Sequence, residues 1–363
     1  MSDRSSDRPR DGSRSQTRIP RRVLDGVLLL DKPVGLSSND ALIRAKFLLL
    51  AKKAGHTGTL DPLASGLLPL CFGEATKFSQ DLLDAEKTYE ATVRLGVRTT
   101  TGDAEGEAVE TLPVSCDRAA LDAVLPRFRG PIEQIPPMYS ALKRDGRPLY
   151  EYARAGQTLE RAARPVTIYL LEVTQCDLPE VPEFKMRVSC SKGTYIRTLA
   201  EDIGASLGCG AHLVALRRTG VGGLTLDHAV TLEQLDAAQP EARTAWLQAV
   251  DVLLSSFASV RLDAELTQRF LQGQRLRLSE AMQTVLVADI AALEHGSGAG
   301  DEVAAGGADE MPAALPETAS SGLVPAVGTR IRVYDTKERL LGTARYAEGL
   351  LAPERVIGTQ PSP

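Results

Sequence analysis

Gly55-His56-Thr57-Gly58-Thr59-Leu60-Asp61-Pro62-Leu63-Ala64-Ser65-Gly66 packs three glycines, one proline and five polar side chains into twelve residues. Glycine accepts tight turns and positive φ and lets a ligand come close to the backbone, so this density reads as a loop shaped for contact. The loop lacks the Gly-Lys-Ser/Thr ending of a triphosphate-binding loop, which sets a nucleotide-triphosphate cradle aside. Its single carboxylate, Asp61, stands before Pro62, whose ring restricts the backbone ahead of it. An aspartate in that position is more often a turn residue than a catalyst. Company raises Asp61 above that base rate: His56 lies five residues earlier in the same loop. On spacing alone, His56 itself reads as a hydrogen-bonding loop residue.

Upstream, Gly26-Val27-Leu28-Leu29-Leu30 is an apolar run stopped by Asp31-Lys32-Pro33 and Gly35, the pattern of a strand entering a turn. Ser37-Ser38-Asn39-Asp40 then caps a helix carrying Ala41, Leu42, Ala45 and Leu48 to about residue 53. Downstream, residues 88–97 alternate as a strand with one buried face, and Tyr89 opens it, where an aromatic ordinarily packs in the core. A polar loop at 99–107 and a helix at 117–125 behind Asp117 follow. Strands are expected at 166–173 and 184–191, then a helix at 194–207 ended by Gly208. Lys192-Gly193-Thr194-Tyr195-Ile196-Arg197 joins that strand to that helix, a junction that can turn backbone N–H groups toward an anion. Arg197 reads equally as a surface cation or as a partner that favours the ionised form of a buried aspartate. No Ser/His/Asp order for a catalytic triad is convincing. Strands and helices without a regular βαβ repeat predict an α+β domain.

Beyond residue 250 the character changes. A helix at 263–272 ends at Gly273, a strand is expected at 283–287, and a hairpin at 330–346. Residues 291–322 are rich in Ala, Gly, Glu and Ser and hold too few large apolar groups to offset chain entropy, so disorder is expected there. A length of 363 residues exceeds one core. The division expected is a disordered basic tail at 1–22, a first domain at 23–250 and a small β-rich domain at 251–363 with the acidic insertion inside it.

Composition narrows the partners. No apolar run approaches bilayer length and the first 22 residues lack a secretory apolar core, so the expectation is a cytoplasmic protein with no membrane role. Five cysteines stand at 71, 116, 176, 190 and 209 without a C-x-x-C pair; only Cys209 and His212 approach ligand spacing, so free thiols and no metal are expected. A net charge of −5 argues at first against nucleic acid. Eight acids and no Lys or Arg fall between Leu278 and Thr329, however, and setting that −8 aside leaves the remainder at +3. Six cations stand against three acids over 143–164, and seven arginines against three aspartates over 1–22. Local basic stripes of this kind are compatible with RNA, although charge runs are more often solvated faces.

Read in order, Gly26–Pro33, the 55–66 loop, Lys87-Thr88-Tyr89, Pro136-Pro137-Met138-Tyr139-Ser140-Ala141-Leu142-Lys143, Cys190-Ser191-Lys192-Gly193-Thr194-Tyr195-Ile196-Arg197-Thr198-Leu199 and Gly210-Ala211-His212-Leu213-Val214-Ala215-Leu216-Arg217-Arg218 resemble the bacterial tRNA pseudouridine-55 synthases of the TruB family. The resemblance spans roughly residues 23–230. It implies a mixed-sheet pseudouridine synthase catalytic domain and a C-terminal domain similar to the PUA RNA-binding module. Arg332-Val333-Tyr334-Asp335, Leu341-Gly342 and Ala352-Pro353-Glu354-Arg355-Val356-Ile357 resemble that module's closing strands, while the acidic insertion departs from its compact pattern.

By this resemblance Asp61 matches the catalytic aspartate, Arg197 its arginine partner and Tyr89 the tyrosine beside the base. His56 matches the histidine that stacks in place of the flipped nucleotide, Tyr195 and Leu216 match further pocket positions, and Lys32 joins the substrate-binding set. Residues 132–165 resemble a thumb that closes on RNA. The substrate implied is the TΨC stem-loop of tRNA, modified by a monomer without cofactor, metal or guide RNA. Asp61 then acts as nucleophile or as the base that yields a glycal, and the residues do not separate the two. A tRNA-folding or RNA-binding protein and a guide-dependent relative are the competing readings, and a folding role can coexist with catalysis.

Overall fold

An apolar run such as residues 26–30 has no polar side chain to turn toward water, so it is stable only with both faces covered. The computed structural model describes residues 20–296 and 328–358, and in it Val27 to Leu30 are at most 2 % exposed. They lie inside a ten-stranded mixed sheet. Its strands include β1 (Gly26–Lys32), β2 (Ala54–His56), β3 (Ala64–Phe72), β4 (Lys87–Leu95), β5 (Gly130–Gln134), β6 (Arg164–Cys176), β7 (Glu183–Cys190), β8 (Ala211–Val221) and β9 (Val230–Thr231). The order is β9-β1-β3-β8-β4-β7-β6-β5, with β2 paired on β3. The pairs β1/β9 and β3/β8 are parallel and the other neighbours antiparallel. The fold is α+β.

Helices cover the sheet where its apolar side chains demand it. In α1 (Ser38–Leu48), the Ser37 hydroxyl accepts from the Asp40 N–H at 3.1 Å, while Ala41, Ala45 and Leu48 pack on β1 and β3. The helix stops short of the expected residue 53, because Leu50 takes a φ of 54° and the chain turns back to form β2. The helices α2 (Arg118–Val124) and α3 (Ile196–Ser206) sit over the other half of the sheet. There Ile196, Leu199, Ala200 and Ile203 close a core with Val93, Phe184 and Val188. The glycine-dense segment is not a loop throughout, since its two ends are strands and only residues 57–63 lie between them.

Val250 to Leu254 still pack with Val27, Leu29 and Phe78 of the first sheet. A second sheet begins at β10 (Ser259–Arg261) and continues through β11 (Leu276–Arg277), β12 (Thr329–Tyr334), β13 (Leu340–Ala347) and β14 (Leu350–Val356), in the order β10-β12-β13-β14-β11. Two helices, α4 (Ala264–Leu271) and α5 (Glu280–Gly296), complete it. The strand expected at 283–287 is therefore part of a helix. Five alternating residues mimic a strand, but Met282, Leu286, Ile290 and Leu293 recur at helical spacing and all reach the second core. The expected disorder at 291–322 is likewise corrected at its start, which is helical to Gly296; its remainder lies outside the described residues, as do residues 1–19 of the tail. Arg22 already pairs with the body, its N–H donating to Leu50 O at 2.7 Å.

The two sheets meet at Asp81, whose side chain is only 2 % exposed and pairs with both Arg330 and Arg355. Arg330 also reaches Glu354 at 2.6 Å and lies over the Phe257 ring. Lys77 donates to Val356 O at 3.0 Å, and Tyr334 donates to Asp251 at 2.8 Å.

One glycine fixes how β3 meets β8. Gly66 has a φ of +99°, and a Cβ there would lie 2.2 Å from Arg218 O. We expect Gly66→Ala to lower stability by about 2 kcal/mol or more in urea unfolding. An unchanged midpoint would show that the two strands can part cheaply.

Candidate active site

Asp61 needs a fixed backbone before its carboxylate can have a direction, and three ties supply it. Ser38, 2 % exposed, donates to Leu60 O at 3.0 Å and accepts from Leu60 N–H at 2.7 Å. The Gly35 N–H donates to Pro62 O at 2.8 Å and the Ala64 N–H to Asp61 O at 3.0 Å. The carboxylate then meets Arg197 Nη2 at 2.9 Å. Arg197 is in the first turn of α3 with its side chain 6 % exposed. Its Nη1 donates to Thr101 O at 2.9 Å and its Nη2 to Tyr139 O at 2.7 Å, and Asp103 lies 3.5 Å away. Asp103 is 4 % exposed against 42 % for Asp61, so the array is sunk at one end and presents Asp61 to the cleft. The 99–107 loop that carries Asp103 is itself pinned to β8, with Ala104 N–H donating to Leu213 O at 2.9 Å.

The cleft is a cavity of about 700 Å³, and His56, Tyr89, Tyr195 and Leu216 line it with Asp61 and Arg197. That volume suits a nucleotide-sized ligand. His56 ends β2; burial pushes its pKa below the usual histidine value, which keeps the ring neutral and flat near pH 7. Tyr89 lies on β4 in register with Arg218 and packs against both halves of the main core. Burial raises its phenol pKa, and the neighbouring Arg218 charge opposes that rise. The backbone of Tyr195 is held by a reciprocal pair: its N–H donates to Gln134 Oε1 at 3.0 Å, and Gln134 Nε2 donates to Tyr195 O at 3.3 Å. Leu216, on β8 opposite Ala91, supplies an apolar wall.

Six of the seven residues expected in the site are thus brought together. Lys32 is the exception. It is fully buried, its ammonium donates to Pro33 O at 2.9 Å and Leu36 O at 2.7 Å, and it does not line the cavity. It clamps the turn after β1 and adds a positive charge near Asp61. Burial lowers its pKa to about 8, with Asp61 pulling the other way. Lys87, 8 % exposed, donates to Leu83 O and Ala85 O, and burial likewise brings it to about 8.

Sequence reading overlooked Asp103, Gln134 and Arg218. Nothing local marks Asp103 or Gln134, and Arg218 only closes the 210–218 motif, because each acquires its place in the site from a segment far along the chain. Between β5 and β6 the chain forms a small hairpin, Lys143–Arg144 with Arg147–Pro148, and a short helix, Leu149–Arg154. There Arg147 stacks over Tyr152 and Arg154 over Tyr150. The start of this excursion, Tyr139, is the carbonyl that Arg197 holds. Among the described residues no cluster of side chains could hold a metal, all five cysteines are free thiols, and no helix is long and apolar enough to cross a membrane.

Known proteins resemble this chain over nearly its whole length. Residues 46–196 match the TruB family pseudouridylate synthase N-terminal domain, and residues 197–257 match the tRNA pseudouridylate synthase B C-terminal domain. The tRNA pseudouridine synthase B of Burkholderia lata is 63 % identical over 354 residues, 97 % of either chain. The protein of the same name from Cupriavidus pinatubonensis is 59 % identical over 358 residues, 98 % of this chain and 99 % of its own. A crystal structure of a Cbf5-Nop10-Gar1 complex overlays with a TM-score of 0.62 at 23 % identity, covering 92 % of this chain and 85 % of that one, which is a likeness of fold. With the motifs in order and the relatives matching end to end, the chain belongs to the TruB family of pseudouridylate synthases.

Proposed function

We propose that the chain isomerises uridine-55 in the TΨC loop of tRNA to pseudouridine, with Asp61 as the reacting carboxylate. The observation that carries this is the Asp61–Arg197 pair at 2.9 Å, the open end of an otherwise buried array beside a nucleotide-sized cavity. The reaction breaks the N1–C1′ bond, turns the uracil and joins C5 to C1′. A proton leaves C5 and N1 ends protonated. Atoms and oxidation state are unchanged, so the chemistry calls for no cofactor.

The target base must first leave the helical stack. His56, neutral and planar, fills the vacancy, while Tyr89 and Leu216 sandwich the extruded uracil and Tyr195 closes its edge. Asp61, directed by Arg197, attacks the sugar or the base, or removes the C2′ proton to give a glycal; both fit this geometry. Tyr89 is placed to take part in the late proton transfer from C5. Residues 132–165 act as the thumb that grips the stem-loop, with Arg147 and Arg154 already stacked on tyrosines. The catalytic body at 23–250 works with a PUA-like RNA-contacting body at 251–363. The protein acts in the cytoplasm as a monomer on bare tRNA, without a guide RNA. A tRNA-folding activity, which needs binding only, would survive the loss of Asp61.

In a purified reaction with unmodified tRNA transcript, wild type is expected to form pseudouridine at position 55. Asp61→Asn is expected to lose at least ~10³-fold in rate while binding tRNA within about threefold. Binding without product from wild type would overturn the proposal in favour of an RNA-folding or guide-dependent protein. Tyr89→Phe is expected to slow the step after glycosidic cleavage; normal turnover would leave Tyr89 only a stacking role.

The buried lysines give a pH signature. Lys32 and Lys87 carry their charges below about pH 8 in the folded protein and lose them as pH rises through that value, well before an exposed lysine would. Affinity for tRNA is therefore expected to weaken from pH 7 to 9.5, and less so in Lys87→Met, which has one charge fewer to lose. Equal slopes in the two proteins would mean that the Lys87 charge is not felt by the RNA.

A further inference from the structure

Two adjacent arginines on β8 are treated in opposite ways. Arg217 is neutralised by Asp31 through two contacts, at 3.0 and 2.7 Å. Arg218, 1 % exposed, has no carboxylate within ion-pair distance among the described residues. Its Nε donates to Leu67 O at 2.8 Å, but Nη2 is buried without any hydrogen-bond partner. Arg218 follows Leu216 by two residues, so both side chains leave the same face of β8, and both line the cavity. The 57–63 loop meets it at Gly58, where a Cβ would lie 3.5 Å from Nη1.

A guanidinium cannot shed its proton, and leaving one of its donors dry and unpaired is costly. Arg161, Arg330 and Arg332 also have a buried nitrogen without a partner, but of these four arginines Arg218 alone lines the cavity, where a ligand can complete it. The cavity's other buried arginine, Arg197, already has four acceptors. Arg218, beside the Tyr89 hydroxyl, is therefore the cavity's buried arginine with a donor to spare; His56 Nδ1 and Ser140 Oγ are the other buried polar atoms of the lining without a partner.

We infer, on the reading of this site as a uridine isomerase, that Arg218 is a catalytic residue: its guanidinium turns a free N–H to a carbonyl oxygen of the extruded uracil and stabilises the negative charge that gathers there when the N1–C1′ bond breaks. The bonding pair leaves with the ring and spreads over N1, O2 and O4. It returns when C5 attacks C1′, and the C5 proton is then lost. A preorganised donor in a water-poor site is most effective at that moment. A backbone phosphate is the other acceptor an arginine commonly takes. It is disfavoured here, because the strand continues on both sides of a flipped nucleotide and keeps its phosphates at the cavity mouth. Only the base reaches the floor.

The test is a double-substitution cycle between protein and RNA. Single-turnover rates and dissociation constants are measured for wild type, Arg218→Gln and Arg218→Lys on tRNA carrying uridine, 2-thiouridine or 4-thiouridine at the target. Sulfur accepts hydrogen bonds weakly. On uridine, Arg218→Gln is expected to be about 100-fold slower with affinity within about threefold, and Arg218→Lys intermediate. One of the two thio bases is expected to slow wild type but to add nothing further to Arg218→Gln.

Additive effects with both thio bases overturn the inference. So does a loss confined to affinity with a salt dependence shallower by about one charge, which would assign Arg218 to a phosphate. If Arg218→Gln does not fold, the wild-type series decides, and equal rates on all three bases overturn it. Failure of wild type to convert uridine at all is a different result: it removes the underlying reading of the site, and this inference with it.

Discussion

A buried guanidinium is a demand for acceptors, and the demand of Arg197 organises this site. Its side chain is 6 % exposed, and it is met by two backbone carbonyls, Thr101 O and Tyr139 O, and two carboxylates, Asp61 and Asp103. These four come from three separate excursions of the chain, all converging on the first turn of α3. Losing any one acceptor leaves a donor dry in a poorly solvated place. The 57–63 loop, the 99–107 loop and the root of the 143–154 excursion are thus fixed by one shared side chain. Asp61 owes its aim to the same arrangement, because Asp103 holds the buried side of Arg197 and leaves the other to the cleft.

Arg197 and Arg218 divide the cavity between a satisfied cation and an unsatisfied one. The acids that line it are Asp61, Asp103 and Glu105, and the cations Lys87, Arg154, Lys192, Arg197 and Arg218 outnumber them. A chain of net charge −5 therefore presents an electropositive pocket. Affinity for a polyanion follows the field where the ligand sits, and the acids between Leu278 and Thr329 contribute to the sum while belonging to another part of the sequence.

Much of this was legible in the residues because local rules govern the pieces concerned. Ser37 before a helix, Asp117 before α2 and the apolar run at 26–30 each act within a few residues of themselves. The glycine-dense segment announced a contact loop, although its ends proved to be strands, since glycine and polar density does not reveal pairing with β3. The strand expected at 283–287 failed because a five-residue alternation is too short to separate two periodicities, and burial of Leu286 and Ile290 decides for the helix. Lys32 sits in a strong motif yet serves the turn beside it, a distinction that only the Pro33 and Leu36 carbonyls reveal. Asp103 and Gln134 have no signature, and Arg218 ends a motif that does not single it out. Their places in the site are relations between distant segments, created by the register of β8 on β4 and by the placement of α3.

Asp81 offers a last consequence. A nearly dry carboxylate gripped by Arg330 and Arg355, with Lys77, Asp251 and Phe257 joined to the same seam, fastens the second sheet to the first. Two surfaces locked at a set separation behave as the jaws of a caliper. An RNA that touched both would be gauged for length as well as for sequence, and one too short would meet a single jaw. Selectivity of that kind needs no base-reading contact in the outer jaw, only a seam stiff enough not to yield.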